Sequence, residues 1–330
     1  MIKAIIRPKG GKNLSTMEVS TIPSPTLGAQ QVRLKMASSR INPVDIDLMK
    51  GMPFLKYKKP QIGGIDGAGS ILEVGSLVKG FQAGDEVFFY RAFTDIGSWA
   101  EEVVLNASDI AHIPNKLSLQ DAGAIALPLL TAYESLAQLG ARQGEKILIH
   151  AGAGGVGFMA VQLAKQMGLE VITTASKNDF PLLEGLGLAR LIDYRTEDFA
   201  TIIAPGEVDY IFDLVGGETL SQSITLMPRK LISVNYPDVD KLGKTGIKMP
   251  GLLKGIMRFA TSKYPRSARK AGVSLIGQVT GPNGKLLQEA SDVVEKISSF
   301  KLKPYPILTF DEVERSGMAN TRPGTVLLMG

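Results

Sequence analysis

Residues 146–165 read KILIHAGAGGVGFMAVQLAK, a β-rich run, a glycine-rich turn and an amphipathic helical pattern in direct succession. Gly152, Gly154 and Gly157 satisfy G-x-G-x-x-G. In that context the first glycine permits a tight turn, the second lets backbone approach a pyrophosphate, and the third lets helix and strand pack closely. The helix N-terminus then offers unpaired N–H groups and the positive end of a dipole to an anion. A second β-rich run, EVITTA, completes the unit. A glycine triplet alone is a common accident, but one set between strand, helix and strand predicts a dinucleotide site in a parallel sheet.

The rest of the chain falls into two textures. Residues 1 to about 120 read as short strands (IKAIIR, STMEVSTI, QQVRLKMASS, GAGSILEVG, DEVFFY, SWAEEVVL) separated by Gly, Pro and Asp turns, the pattern of an irregular barrel or sandwich. Within it, Asn42-Pro43-Val44-Asp45 predicts a short helix through IDLMK, with asparagine as cap and proline at the first helical position. From about 124 to 275 strands and helical segments alternate: KILIH, VGFMAVQLAKQMG, EVITTA, PLLEGLG, RLIDY, VDYIFDLVG, KLISV. Continuous apolar strands between helices predict a parallel sheet covered on both faces. The tail returns to one helix, GKLLQEASDVVEKISSF, and a last strand, TVLLMG. The α/β unit therefore reads as an insertion into a domain built from both termini.

Composition narrows the chemistry. With no cysteine, disulfides, thiol nucleophiles and zinc-thiolate sites are excluded, and the two histidines, His112 and His150, cannot build a His-rich metal site. The N-terminus lacks the apolar run of a signal peptide, and the nearly apolar stretch 122–133 is too short to span a bilayer, so a soluble, cytoplasmic protein is expected. The net charge of +5 is local: residues 241–270 hold nine Lys or Arg and no acid. That argues against a general nucleic-acid coat and for one patch with a task.

The end of the second strand bears on the cofactor. NAD enzymes place an acid there for the ribose 2′-hydroxyl. Here Thr173-Thr174-Ala175-Ser176-Lys177-Asn178 has no acid before Asp179. A small hydroxyl residue followed by lysine suits a 2′-phosphate, so NADPH is expected. The alternative for Lys177 is a solvated loop lysine.

Together with INPVDIDLMKG, PQIGGIDGAGSILEVGSLVKGFQAGDEV and GSWAEEVVLNASDIAHIPNKLSLQDAGAIALPLLTAYESL, the glycine-turn segment resembles the zinc-independent quinone oxidoreductase branch of the medium-chain dehydrogenase/reductase superfamily. The resemblance covers nearly the whole chain. It implies an α/β fold in which a Rossmann doubly wound parallel sheet (124–275) is inserted in a discontinuous GroES-like β-barrel domain (1–123 and 276–330), with the active site in the cleft between them. Zinc relatives carry Gly-His-Glu where this chain has Gly64-Ile65-Asp66, and a cysteine near Asn42; both ligands are missing. The resemblance places Asn42 beside the nicotinamide ribose and Thr131 near the nicotinamide. It gives Gly155, Val156 and Gly157 to the pyrophosphate, Ser176, Lys177 and Tyr194 to the 2′-phosphate and adenine, and the backbone of Val215 and Gly216 to the nicotinamide. Each has a rival reading: Asn42 as a helix cap, Thr131 back-bonded within a helix, Tyr194 a half-buried strand aromatic. Two departures stand out. Enoyl reductases of this superfamily have a proton-donating tyrosine where this chain reads Met52-Pro53-Phe54, with Tyr57 displaced, and the C-terminal Arg-Gly-Lys reads Arg322-Pro323-Gly324-Thr325.

A metal-free NADPH site favours quinones and α,β-unsaturated carbonyls, whose conjugation delocalises the added electron pair. Asn42, Tyr57 and Tyr90 are the candidate hydrogen-bond or proton donors, with water as their rival. The competing functions are a cofactor-binding protein with a structural (lens-type) or RNA-binding role, and an enoyl thioester reductase. VSLIGQV near 273–279 is expected to be an edge strand through which the protein forms a homodimer. In residues 249–264, Leu252, Leu253, Ile256, Met257 and Ala260 are expected on one helix face, with Lys254 and Arg258 opposite. This basic segment reads as an ordinary surface helix, a lid on the cleft, or a weak contact with an anionic membrane.

Overall fold

A computed structural model describes the chain except for residues 10, 12, 52–58, 96, 237, 320 and 330. Strand β1 (Ile2–Ile6) pairs antiparallel with β2 (Glu18–Ile22). Strand β3 (Gln31–Arg40) buries Val32, Leu34 and Met36 at alternate positions, as a strand with one core face must. Helix α1 (Pro43–Lys50) follows, capped by Asn42, whose N–H donates to Asp45 Oδ2 at 2.7 Å. Then come β4 (Asp66–Val74), β5 (Glu86–Tyr90), β6 (Glu102–Asn106) and β7 (Ile110–His112). The expected strand through SWAEEVVL begins only at Glu102: Trp99 turns inward instead, onto the backbone of Gly63 and Gly64, and is fully buried.

Helix α2 (Leu119–Leu139) starts at Ser118, whose Oγ accepts from Asp121 N–H at 3.1 Å, and stops at Gly140 in the left-handed region. It packs on β3, β4 and β5 and also on the following helix, so one apolar helix ties the two parts together. The second part runs β8 (Lys146–Ile149), α3 (Gly155–Gln166), β9 (Glu170–Ala175), α4 (Phe180–Leu183), β10 (Arg190–Asp193), α5 (Phe199–Ile202), β11 (Tyr210–Asp213), α6 (Gly217–Thr225), β12 (Lys230–Ser233), α7 (Gly251–Ala260), α8 (Lys263–Lys270) and β13 (Ser274–Gly277). Its parallel sheet has the order β10-β9-β8-β11-β12-β13. This is the doubly wound Rossmann arrangement, and the order reverses between β9-β8 and β11, which opens a crevice at the carboxyl ends of the strands. The helical reading of PLLEGLG contracts to α4, because Gly185 and Gly187 adopt positive φ of 78° and 67°.

The chain then returns through α9 (Gly284–Lys296), β14 (Ile307–Thr309), α10 (Phe310–Ser316) and β15 (Val326–Leu328). β15 joins the first sheet on β3, giving the order β14-β15-β3-β4-β5-β7 with β6 also on β3. Both termini thus build the GroES-like domain around the Rossmann sheet. The expected boundaries at 123/124 and 275/276 fall inside α2 and β13, and the division into two folding units remains a proposal.

Candidate active site

The glycine turn joins β8 to α3. Its left-handed residue is Ala151 (φ 54°), not a glycine; Ala151 N–H donates to Thr174 Oγ1 at 3.1 Å, which fixes the start of the turn from β9. The glycines are needed for space instead: a Cβ on Gly152 would collide with Thr173, and one on Gly157 with the Ala151 carbonyl. Gly154 caps α3, so the N–H groups of Gly155, Val156 and Gly157 lie in the first turn, free of intrahelical partners. His150, just before the turn, is buried against Ser223 (2.9 Å) and Thr174 (3.3 Å). Burial pushes its imidazole down to about 4, with Asp213 pulling the other way, so it is a neutral packing residue at neutral pH.

Two cations that no motif singled out converge on this turn. The guanidinium of Arg40, at the end of β3, donates to Ala124 O at 3.1 Å and sits 3.0 Å from where a Gly155 Cβ would be and 3.3 Å from that of Gly324. Lys303, between α9 and β14, donates from Nζ to Ala153 O at 2.6 Å. Burial lowers the proton affinity of both; for Lys303 Asp179 opposes this, while the charges of Arg40 and Arg322 lower it further. Two half-buried positive groups therefore lie close enough to disfavour each other, and the bonds they make are to neutral carbonyls.

At the end of β9, Ser176 is buried and its hydroxyl donates to Asp179 Oδ2 at 2.6 Å, while Lys177 is exposed. Tyr194 lies one residue beyond β10 and is 57% exposed, so it is not the half-buried strand aromatic of the rival reading. Its N–H donates to Ala175 O at 3.3 Å, and Arg195, which the motif reading missed, stands over its ring at 5.8 Å. The bond to Ala175 thus brings Tyr194 and Arg195 beside the end of β9, which Lys177 follows by two residues. Across the switch point, Asp213 accepts from Val215 N–H (3.0 Å), Gly216 N–H (2.9 Å) and Ser233 Oγ (2.6 Å). That carboxylate holds the loop in shape, leaving the Val215 side chain exposed and Gly216 at φ 77°.

Asn42 and Thr131 are both buried at the inner end. Asn42 makes the cap of α1 and also hydrogen-bonds Asp66, and its Nδ2 donates to Arg40 O at 3.4 Å, so capping and positioning coexist in one residue. Thr131 O accepts from Ser135 Oγ at 2.7 Å within α2. Asp66 is fully buried; its carboxyl is pushed up to about 7 by burial, against hydrogen bonds from Asn42 and Leu127 and the charge of Arg40. Asp45 is raised well above the ordinary range by burial and by Asp66. Asp45 Oδ1 and Asp66 Oδ1 lack partners among the described residues, which fits carboxyls that keep a proton. Tyr90 is buried, and its hydroxyl donates to Thr280 O at 3.2 Å; burial raises its pKa further. Tyr57 lies outside the described residues. Among the described residues no three His, Asp or Glu side chains converge as a metal site would require.

Comparison with known proteins agrees with this architecture. The model of the alcohol dehydrogenase GroES-like domain matches residues 28–115, and that of zinc-binding dehydrogenase matches 155–231. The chain is 31% identical over 269 residues to the chloroplastic quinone-oxidoreductase homolog of Spinacia oleracea, covering 79% of this chain and 78% of that protein. It is 36% identical over 210 residues to 2-methylene-furan-3-one reductase of Solanum lycopersicum, covering 60% and 53%. Against three of its curated relatives the matched stretch spans 53–63% of their length. The quinone oxidoreductase of Coxiella burnetii superposes with TM-score 0.78 at 29% identity, over 100% of this chain and 99% of that one. The chain belongs to the quinone oxidoreductase branch of the medium-chain dehydrogenase/reductase superfamily.

Proposed function

We propose that this protein is an NADPH-dependent reductase of quinones or other conjugated carbonyls that works without a metal. The observation that carries the reading is the pairing of Arg40 and Lys303 beside the glycine turn. Two cations held near each other in a half-buried pocket are stabilised by an anion between them, and the N-terminus of α3 points its dipole at the same place. The residues fit a dinucleotide: Gly152 and Gly157 keep the turn low enough for a pyrophosphate, and Lys177 and Arg195, just past the ends of β9 and β10, would supply the charge for a 2′-phosphate. Asp179, bound to Ser176, adds one negative charge there, so phosphate selectivity rests on the two cations.

When bound, the cofactor supplies a hydride from its nicotinamide. The chain's own part is to hold and orient. The Asp213-braced loop presents Val215 and Gly216 backbone across the switch point, and Asn42, anchored between Asp45 and Asp66, has little freedom to move. An acceptor oxygen is served by Asn42, by Tyr57 or by water; Tyr90 is occupied by Thr280 O. Quinones and enones spread the incoming charge over their conjugated system, so a single hydrogen bond replaces Lewis-acid help. At position 65, where zinc relatives have histidine, Ile65 offers no ligand atom. We also propose a cytoplasmic homodimer formed through β13, the edge strand of the parallel sheet.

The test is equilibrium binding of NADPH and NADH followed by turnover with a panel of quinones, enals and enoyl thioesters. NADPH tighter by about tenfold or more, with oxidation by quinones or enals, supports the reading. Equal cofactor affinities overturn the NADPH assignment, and tight NADPH binding without turnover of any conjugated carbonyl overturns the enzyme assignment. A monomer by light scattering at micromolar concentration overturns the dimer alone.

A further inference from the structure

Helix α7 departs from the usual amphipathic arrangement. Leu252, Ile256 and Phe259 recur at i, i+4 and i+7, and they are 79%, 54% and 78% exposed. No residue of α7 is buried. The expected apolar face therefore splits: Leu253 and Met257 lean half-buried toward the protein, while Leu252, Ile256 and Phe259 form a ridge facing solvent together with Ala260. The rotation is set from outside the helix. Lys254 and Arg258 both reach Asp240, Lys254 at 3.6 Å, which ties this side of the helix down at the surface, Arg258 and Asp240 each staying 57% exposed. The helix therefore keeps only Leu253 and Met257 of its apolar face against its own domain.

The next helix supplies the complementary feature. Two residues after α7, α8 turns Tyr264 and Ala268 inward, with the Tyr264 ring edge-on to Tyr236 at 5.8 Å. This leaves Lys263, Arg266, Arg269 and Lys270 exposed. Across residues 241–270 there are nine basic residues and no acid.

We propose that the ridge of α7 and the cationic face of α8 dock this protein on an anionic lipid surface. The ridge enters the boundary between headgroups and acyl chains, and the α8 cations lie against the headgroup charge. Charge decides between this occupant and a second copy. An isologous pairing of the ridge would bring the exposed cations of α8 toward their own copies, whereas an anionic surface neutralises them. The inference goes beyond the reductase reading and does not depend on it, because docking is measured without substrate or cofactor.

The experiment is flotation of the intact protein with vesicles of phosphatidylcholine alone and with about a third phosphatidylserine or phosphatidylglycerol, at low and physiological salt. Two variants are run beside it, Leu252→Ser/Ile256→Ser/Phe259→Ser and Lys263→Gln/Arg266→Gln/Arg269→Gln/Lys270→Gln. All seven side chains are exposed, so both variants should fold, with cofactor binding as the control. Expected is at least about tenfold enrichment on anionic over neutral vesicles that falls with salt and is lost in both variants. No enrichment at low salt overturns the proposal. Enrichment that survives the serine variant overturns it in favour of a general polyanion patch. If the serine variant instead breaks up a dimer in solution, or raises KM for a soluble quinone with vesicle binding unchanged, the ridge is a subunit contact or a cleft lid and the proposal falls.

Discussion

The molecule has two concentrations of positive charge, and they are built in opposite ways. At the glycine turn, Arg40 and Lys303 come from separate parts of the chain, are half-buried, and bond to the carbonyls of Ala124 and Ala153. On α7 and α8 the cations come from one short stretch of sequence; those of α8 are exposed, as are the apolar Leu252, Ile256 and Phe259 on α7. A buried cation loses solvation and needs a specific anion in return, which suits a small ligand held at fixed geometry. Exposed cations keep their water and act through the sum of their field, which suits an extended anionic surface and weakens with salt.

The largest expected effect tests the buried half of that contrast. Arg40→Gln with Lys303→Gln removes two charge-assisted bonds of about 1.5–3 kcal/mol each, so calorimetry should show NADPH and NADH both weakened by at least about a hundredfold, since the pyrophosphate is common to them. Affinities within about threefold of the parent would make the pair a structural feature and erase the distinction between the two regions.

Next in size is Lys177→Ala, which should weaken NADPH by about tenfold while leaving NADH nearly unchanged by fluorescence titration, with Arg195→Ala acting in the same direction. Equal loss for both cofactors would place these residues on the shared part of the dinucleotide.

The interior charges also predict a pH effect. Asp66 holds its proton up to about 7 in the folded state, against about 4 when unfolded, so the folded chain binds more protons across that window. Its contribution to stability is full below about pH 4 and declines as pH rises to about 7. His150 runs the other way: its folded value near 4 lies below the ordinary one near 6.5, so its contribution is present above about pH 6.5 and lost as pH falls toward 4. The two slopes oppose each other. In Asp66→Asn the stability measured by urea denaturation should therefore rise more steeply between about pH 4 and 6.5 than in the parent, and an unchanged profile would mean that Asp66 titrates normally.

The smallest expected effect is none. Chelators should leave activity intact, because position 65 offers isoleucine and the chain has no cysteine. One tightly bound zinc per chain by elemental analysis would break both the metal-free reading and the view that side-chain cations supply the positive charge in the cleft.

Much of this architecture is legible in the sequence because its signals are local. A strand, a glycine turn and a helix declare themselves within twenty residues, and the parallel order follows from strands too apolar to have a solvent face. Asp213 illustrates a signal lying in plain view: the acid that braces the loop stands two residues before Val215, within the same short run that carries the Val215 and Gly216 backbone. Arg40 and Lys303 carried no such signal. One precedes a helix cap and the other sits in KLKPYP, and neither belongs to a periodic or spaced pattern.

By itself, then, the sequence determined the element types, the alternation of two textures, the dinucleotide turn and the exclusion of thiolate chemistry, all properties of neighbouring residues or of composition. Tertiary structure alone decided which charges meet. It brought Lys303 and Arg40 to the turn, raised the Asp66 carboxyl by closing β4 under α2, and tied Lys254 and Arg258 of α7 to Asp240. Solvation and Coulomb interactions depend on distance through space and on burial, and a linear sequence fixes neither until the chain has packed.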